Sequence, residues 1–189
     1  MNLAADLAAA LDPVAARARL GATPSEPLLS PASLALAVSP TFRVPPHVEL
    51  LDRAIVETVE SGGRLLVALP PRHGKSEMAS RYTPAWYLGR FPSRRVILAS
   101  YEADYAASWG RKARDLLEEH GGRLFGVRVR QDSHAANRWD IADYAGGMTT
   151  AGVGGAITGR GADLLVIDDP VKSVEEAESD TYPARTWDW

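Results

Sequence analysis

Cysteine is missing from all 189 residues, which excludes a disulfide framework and any thiolate metal site and leaves the redox compartment open. Histidine is scarce, and His47, His73, His120 and His134 show none of the short spacings that metal ligation uses. Charge of one sign is also lacking. A formal net charge of −3 is not the basic balance of a dedicated nucleic-acid-binding module, so any such contact must be local or made by residues outside this sequence. No apolar run reaches the roughly 18 residues that a membrane span needs. The Ala/Leu stretch at the start is interrupted by Asp6 and Asp12 and has no basic n-region, so it does not read as a secretory signal. A soluble, intracellular protein with no membrane partner is the expectation.

What is present is a 46% hydrophobic composition, enough for one α/β domain with little room for a second. Leu3, Leu7, Leu11, Val14 and Ala18 recur at helical spacing and predict a helix over 3–20, broken or capped near Pro13. Six prolines between Gly21 and Pro46 predict an extended linker, which sets the expected boundary between a helix-plus-linker region, 1–43, and the main domain, 44–189. From His47 to Glu60 a helical stripe of Leu50, Leu51, Ala54, Ile55 and Val59 ends at Gly62-Gly63.

Three short apolar runs follow, at 65–69, 95–100 and 163–168, separated by helix-length or glycine-rich segments. Strands buried on both faces and alternating with helices predict an α/β fold with a mainly parallel central sheet flanked by helices.

Directly after the first run stands Pro70-Pro71-Arg72-His73-Gly74-Lys75-Ser76. The phosphate-loop pattern G-x-x-x-x-G-K-[ST] is met except at its first glycine, which is Leu69. Backbone N–H groups around Arg72 to Lys75, at the start of a helix, suit phosphate oxygens. Lys75 suits the β- and γ-phosphates, and the Ser76 hydroxyl suits Mg²⁺. The third run delivers Asp168 and Asp169 at its C-terminal edge, where open α/β sheets bind ligands. Asp168 is suited to hold the metal and Asp169 to orient an attacking water; the plain alternative is a pair of acids that cap the turn at Pro170. The glycine-rich stretch 146–161 reads as a functional loop or as a flexible hairpin connection, with Arg160 its one charge. Arg90, Arg94, Arg95, Arg111, Lys112 and Arg114 form a locally basic stretch, either DNA-facing or a solvated helix surface.

The motifs at 70–76, Ile97-Leu98-Ala99-Ser100-Tyr101, Thr158-Gly159-Arg160-Gly161-Ala162-Asp163 and 165–172 stand together in an order that resembles the ATPase domain of tailed-phage large terminases, over about residues 44–189. The resemblance implies an ASCE-type P-loop NTPase that hydrolyses ATP with Mg²⁺ to drive double-stranded DNA into a procapsid. It also implies a ring of copies on the portal protein, a small terminase subunit as partner, and a location in the host cytoplasm with transient attachment to the portal. By residue, Pro71, Arg72, His73, Gly74, Lys75 and Ser76 correspond to the nucleotide loop, Ser76 and Asp168 to the metal positions, and Asp169 with Arg72 to the catalytic positions. Many relatives carry glutamate where Asp169 stands. The coupling motif and the RNase H-like nuclease domain of such proteins are not met before Trp189, so a C-terminally truncated ATPase domain without nuclease activity is expected. The other readings that fit these residues are a helicase-like ASCE ATPase acting on DNA and a catalytically silent P-loop fragment.

Overall fold

The computed structural model describes residues 28–155, 157, 159, 161–179, 181, 184, 186 and 188. The expected helix over 3–20 and the residue Arg160 lie outside them. The chain divides into two compact units, Met1–Met78 and Ala79–Trp189. The proposed limits 1–43 and 44–189 remain an expectation.

In the first unit the proline-rich segment is not a linker throughout. Ser30 and Ser33 exchange hydrogen bonds as a capping box, with Ser30 N donating to Ser33 Oγ at 3.0 Å and Ser33 N to Ser30 Oγ at 3.2 Å. Pro31, fixed near helical φ, opens helix α1, Pro31–Val38, which buries Ala32, Leu34, Ala35 and Leu36. Proline reads as a breaker in isolation, but at the first helical position its missing N–H is no loss. Helix α2, Pro46–Ser61, starts on a second such proline, buries Val48, Leu51 and Ile55, and ends at Gly62 with φ 70°. The two helices are joined where Ala32 N donates to Asp52 Oδ1 at 2.8 Å.

The strand expected at 65–69 does not form: 62–70 carries no regular structure, and Leu66 is 96% exposed. An extended segment becomes a strand only through a ladder partner, and all five described strands belong to the second unit.

A helical run begins at Lys75, widens into a π-helical segment, Glu77–Tyr82, and continues as α3, Thr83–Arg90. Helix α3 is buried almost all round, with Trp86, Tyr87 and Leu88 in the core of the second unit. Strand β1, Arg95–Ser100, leads into the long helix α4, Ala103–Phe125, and then come β2, Val129–Ala135, β3, Arg138–Ile141, β4, Gly147–Gly152, β5, Leu164–Ile167, and the short α5, Val174–Ala177. The sheet order is β2-β3-β4-β1-β5. Strands β4 and β5 flank β1 in parallel, while β2 pairs with β3 and β3 with β4 antiparallel. The sheet is therefore mixed, which corrects the expectation of a mainly parallel one: the polar β2 and β3 carry no continuous apolar run that would mark them in the sequence.

The glycine-rich stretch also divides. Its first half is β4, a strand between β1 and β3 rather than a loop. A Cβ on Gly146 would collide with the carbonyl oxygens of Pro92 and Arg94, and one on Gly147 with that of Trp139. Close backbone packing, not freedom of φ, is what glycine supplies there. Non-strand backbone begins only after Gly152, with Gly154 at φ 82°.

Candidate functional site

The loop belongs to the first unit. Pro71 to Gly74 form a turn in which Arg72, at φ 63°, and Gly74, at φ 84°, are both left-handed and flank His73. Such alternation turns successive N–H groups toward one anion. Arginine adopts that conformation only against local strain. Pro71, Arg72 and His73 are exposed; Gly74, Lys75 and Ser76 are half-buried. His73 Nδ1 lies 2.8 Å from the Pro71 carbonyl oxygen, and its ring meets His47 of α2 edge-on at 5.5 Å. Met78 N donates to Gly74 O at 2.9 Å. Gly74 thus stands at the helix start, with Lys75 and Ser76 in the first turn, the end that carries the partial positive charge of the helix.

The acids belong to the second unit and are held differently. Strand β5 is fastened to β1 at its beginning, where Arg95 N donates to Asp163 Oδ2 at 2.7 Å and Asp163 N to Arg95 O at 2.8 Å. At its end Asp168 N donates to Ala99 O at 2.9 Å. Asp168 is 3% exposed, and its Oδ2 accepts from Ser80 Oγ at 2.9 Å. Asp169 turns out to solvent at φ 47°, and its carbonyl oxygen accepts from Tyr101 N at 3.1 Å and Ser100 Oγ at 3.4 Å. Tyr101 stacks on Tyr105 of α4 at 5.2 Å, with the Lys172 ammonium 5.6 Å from its ring.

The sequence singled out the acids but not Ser80, and it gave Ser100, Tyr101 and Lys172, which stand in its motifs, no role of their own. The one signal for Ser80 was its spacing: it follows Ser76 by one helical turn's worth of residues. Two other acids near Asp169 are engaged locally. Glu176 Oε2 accepts from Lys172 N at 2.9 Å, and a hydrogen bond from Ser173 holds the Glu175 carboxyl below its usual 4.5.

The basic stretch is largely turned onto its own surroundings. Arg94 donates to Tyr87 Oη at 3.0 Å and lies over Phe91 at 4.4 Å, Arg95 pairs with Asp140 at 3.3 Å, Arg114 with Asp115 at 2.6 Å, and the Lys112 ammonium sits 3.6 Å from the Trp109 ring centroid. An open pocket of about 680 Å³ lies along β2, lined by Arg128, Arg130, His134 and Glu118. It includes no residue of the loop or the acid pair. No described helix is long and apolar enough to cross a membrane.

These features define an α/β protein with Asp168 and Asp169 at the C-terminal edge of parallel strands and a glycine-bearing turn that opens a helix. The family described as terminase large subunit, T4likevirus-type, N-terminal, matches residues 66–185, and the chain belongs to it. That membership ties the protein to DNA packaging in bacteriophages. Neither the curated proteins nor the solved structures contain a match.

Proposed function

We propose that this domain is the ATP-hydrolysing motor of a phage packaging enzyme, using ATP and Mg²⁺ to move double-stranded DNA through a portal into a procapsid. The observation that carries the reading is the loop: Arg72 and Gly74 left-handed on either side of His73, then Lys75 and Ser76 at a helix start, in a chain of the terminase family. Its backbone suits phosphate oxygens, and Lys75 supplies the ammonium that offsets their charge. Arg72, exposed on the same turn, is proposed to stabilise the γ-phosphate.

Among the described residues no cluster of three or more His, Asp or Glu could hold a metal alone. The proposed donors are instead the Ser76 hydroxyl and the Asp168 carboxylate, hard oxygens of the kind Mg²⁺ takes in small number, with nucleotide phosphates and water as its other ligands. Held by those oxygens, the metal would neutralise charge on the β- and γ-phosphate oxygens. Asp169, exposed beside the buried Asp168, is the residue proposed to orient water and accept its proton. A ring of copies on the portal protein, a small terminase subunit and a site of action in the host cytoplasm complete the proposal. Phosphate release from ATP, measured with and without double-stranded DNA, tests it. DNA-stimulated release is the expected result, and failure to bind ATP in the presence of Mg²⁺ would refute it.

A further inference from the structure

The acid proposed as a metal ligand is not held by its own strand alone. We infer that Ser80 is the positioning residue for Asp168, and that the π-helical segment Glu77–Tyr82 sets the register in which it acts. The inference rests on the nucleotide-site reading above.

Ser80 is fully buried and Asp168 nearly so. A carboxylate taken out of water is costly unless hydrogen-bonded, and the Ser80 hydroxyl gives it a donor at 2.9 Å. A serine hydroxyl has a single proton to give. Within a helix that proton usually returns to the carbonyl one turn back. Here it goes to an acid 88 residues further along the chain. Because the Asp168 N–H is fixed to Ala99 O of β1, the backbone of the acid is set by the sheet and one carboxylate oxygen by the helix. Two anchors from different elements fix the rotation of the carboxylate, which a backbone anchor alone does not.

The helical widening over Glu77–Tyr82 gives Ser80 a register that an unbroken α-helix would not, and single π turns of this kind recur at functional sites. The same helical run carries Ser76, the proposed metal hydroxyl, four residues earlier. Ser80 and Asp168 both belong to the second unit, so the contact that orients the acid is made within that unit. A methyl at 80 fills nearly the same volume but neither donates to the carboxylate nor fixes its plane.

The test uses the whole chain with Mn²⁺ as probe, its binding in the presence of ATP read by electron paramagnetic resonance, beside ATP affinity in chelator and thermal melting. Ser80→Ala is expected to weaken Mn²⁺ binding about tenfold or more, the usual effect of removing a partner that orients a metal ligand. ATP affinity without metal should stay unchanged, and Ser80→Thr, which keeps the hydroxyl, should restore Mn²⁺ binding. A purely structural serine would lower the melting temperature and leave Mn²⁺ affinity of the folded protein as in the wild type; that result overturns the inference. Should Ser80→Ala not fold, Ser80→Thr decides alone: wild-type Mn²⁺ affinity supports the role of the hydroxyl, and a tenfold loss refutes it. If the unaltered protein takes up no Mn²⁺ with ATP, the nucleotide-site reading itself fails, whereas uptake unaffected by Ser80→Ala sinks only the role of Ser80.

Discussion

The loop at 70–76 and the acid-bearing end of β5 are built on opposite principles. The loop exposes Pro71, Arg72 and His73 and is shaped by local contacts: a histidine on a nearby carbonyl, a ring against His47, and one hydrogen bond at the helix start. The acid end is fixed from several sides, by Ala99 and Ser100 of the neighbouring strand, by Tyr101 just after it, and by Ser80 of a helix. A site whose chemistry lies in backbone amides and one lysine can be specified within seven consecutive residues. Orienting a buried carboxylate takes partners that only the folded chain brings near.

If that contrast holds, the largest functional loss comes from the loop. Lys75→Ala should reduce ATP hydrolysis by about 10²- to 10³-fold, the scale seen when one charge-stabilising group is removed, while the protein still melts cooperatively. Phosphate release and a melting curve on the same preparation check both halves. Turnover close to that of the unaltered protein would end the phosphate-loop assignment.

Asp169→Asn probes the other side. The residue is exposed, its backbone is held by Ser100 and Tyr101, and asparagine keeps its shape, so the exchange should leave the turn intact. Hydrolysis should drop about 10²-fold, as for a lost general base, with ATP affinity unchanged. Normal hydrolysis would shift the role to another carboxylate. Glu175 and Glu176 are the next carboxylates along the chain, although each is already engaged at the start of α5.

A smaller effect is expected at Gly74. A Cβ there would meet only Val48 Cγ2, at 3.8 Å, so space is not the obstacle. The obstacle is φ 84°, and an alanine in left-handed backbone costs roughly 1–2 kcal/mol. Gly74→Ala should therefore weaken ATP binding about tenfold, the equivalent of that strain, and leave the second unit's stability untouched. Gly146→Ala should do the reverse, since its Cβ would strike backbone on β1's approach. Calorimetric titration with ATP and thermal melting of the two variants separate the cases.

These differences mark how far the sequence could be read. Helix α2 and strands β1 and β5 were legible because each carries an uninterrupted helical stripe or apolar run. Helix α1 was hidden by its prolines, which open the helix instead of breaking it. The run at 65–69 has the composition of a strand but no ladder partner in its unit, and composition does not report partners. Strand β4 was hidden by glycines that serve contact, and β2 and β3 by their charged residues. At the site, identities at 70–76 and 168–169 were visible, whereas Ser80 lies in a helix and acts on a residue 88 positions away.

The smallest predicted effect concerns the scaffold of the loop, through Asp52 of α2. Burial pushes its carboxyl above the usual 3.8; hydrogen bonds from Ser30 and Ala32 draw it partly back, and the nearby charge of Glu49 raises it further. The folded chain therefore binds this proton more tightly than the unfolded chain does. Linkage then makes Asp52's contribution to stability fullest below pH 3.8 and has it decline as pH rises through the folded value, after which it is flat. Asparagine at 52 keeps a carbonyl oxygen for the Ala32 N–H but carries no charge to bury. The melting temperature of Asp52→Asn relative to the unaltered protein should accordingly rise with pH across the window just above 3.8 and then level off. Alanine at 52 should be destabilising at neutral pH, because it leaves a buried N–H at the start of α1 without its acceptor. A melting difference for Asp52→Asn that stays constant from pH 3 to pH 7 would show that the carboxyl titrates alike in both states, and that hydrogen bonding fully offsets its burial.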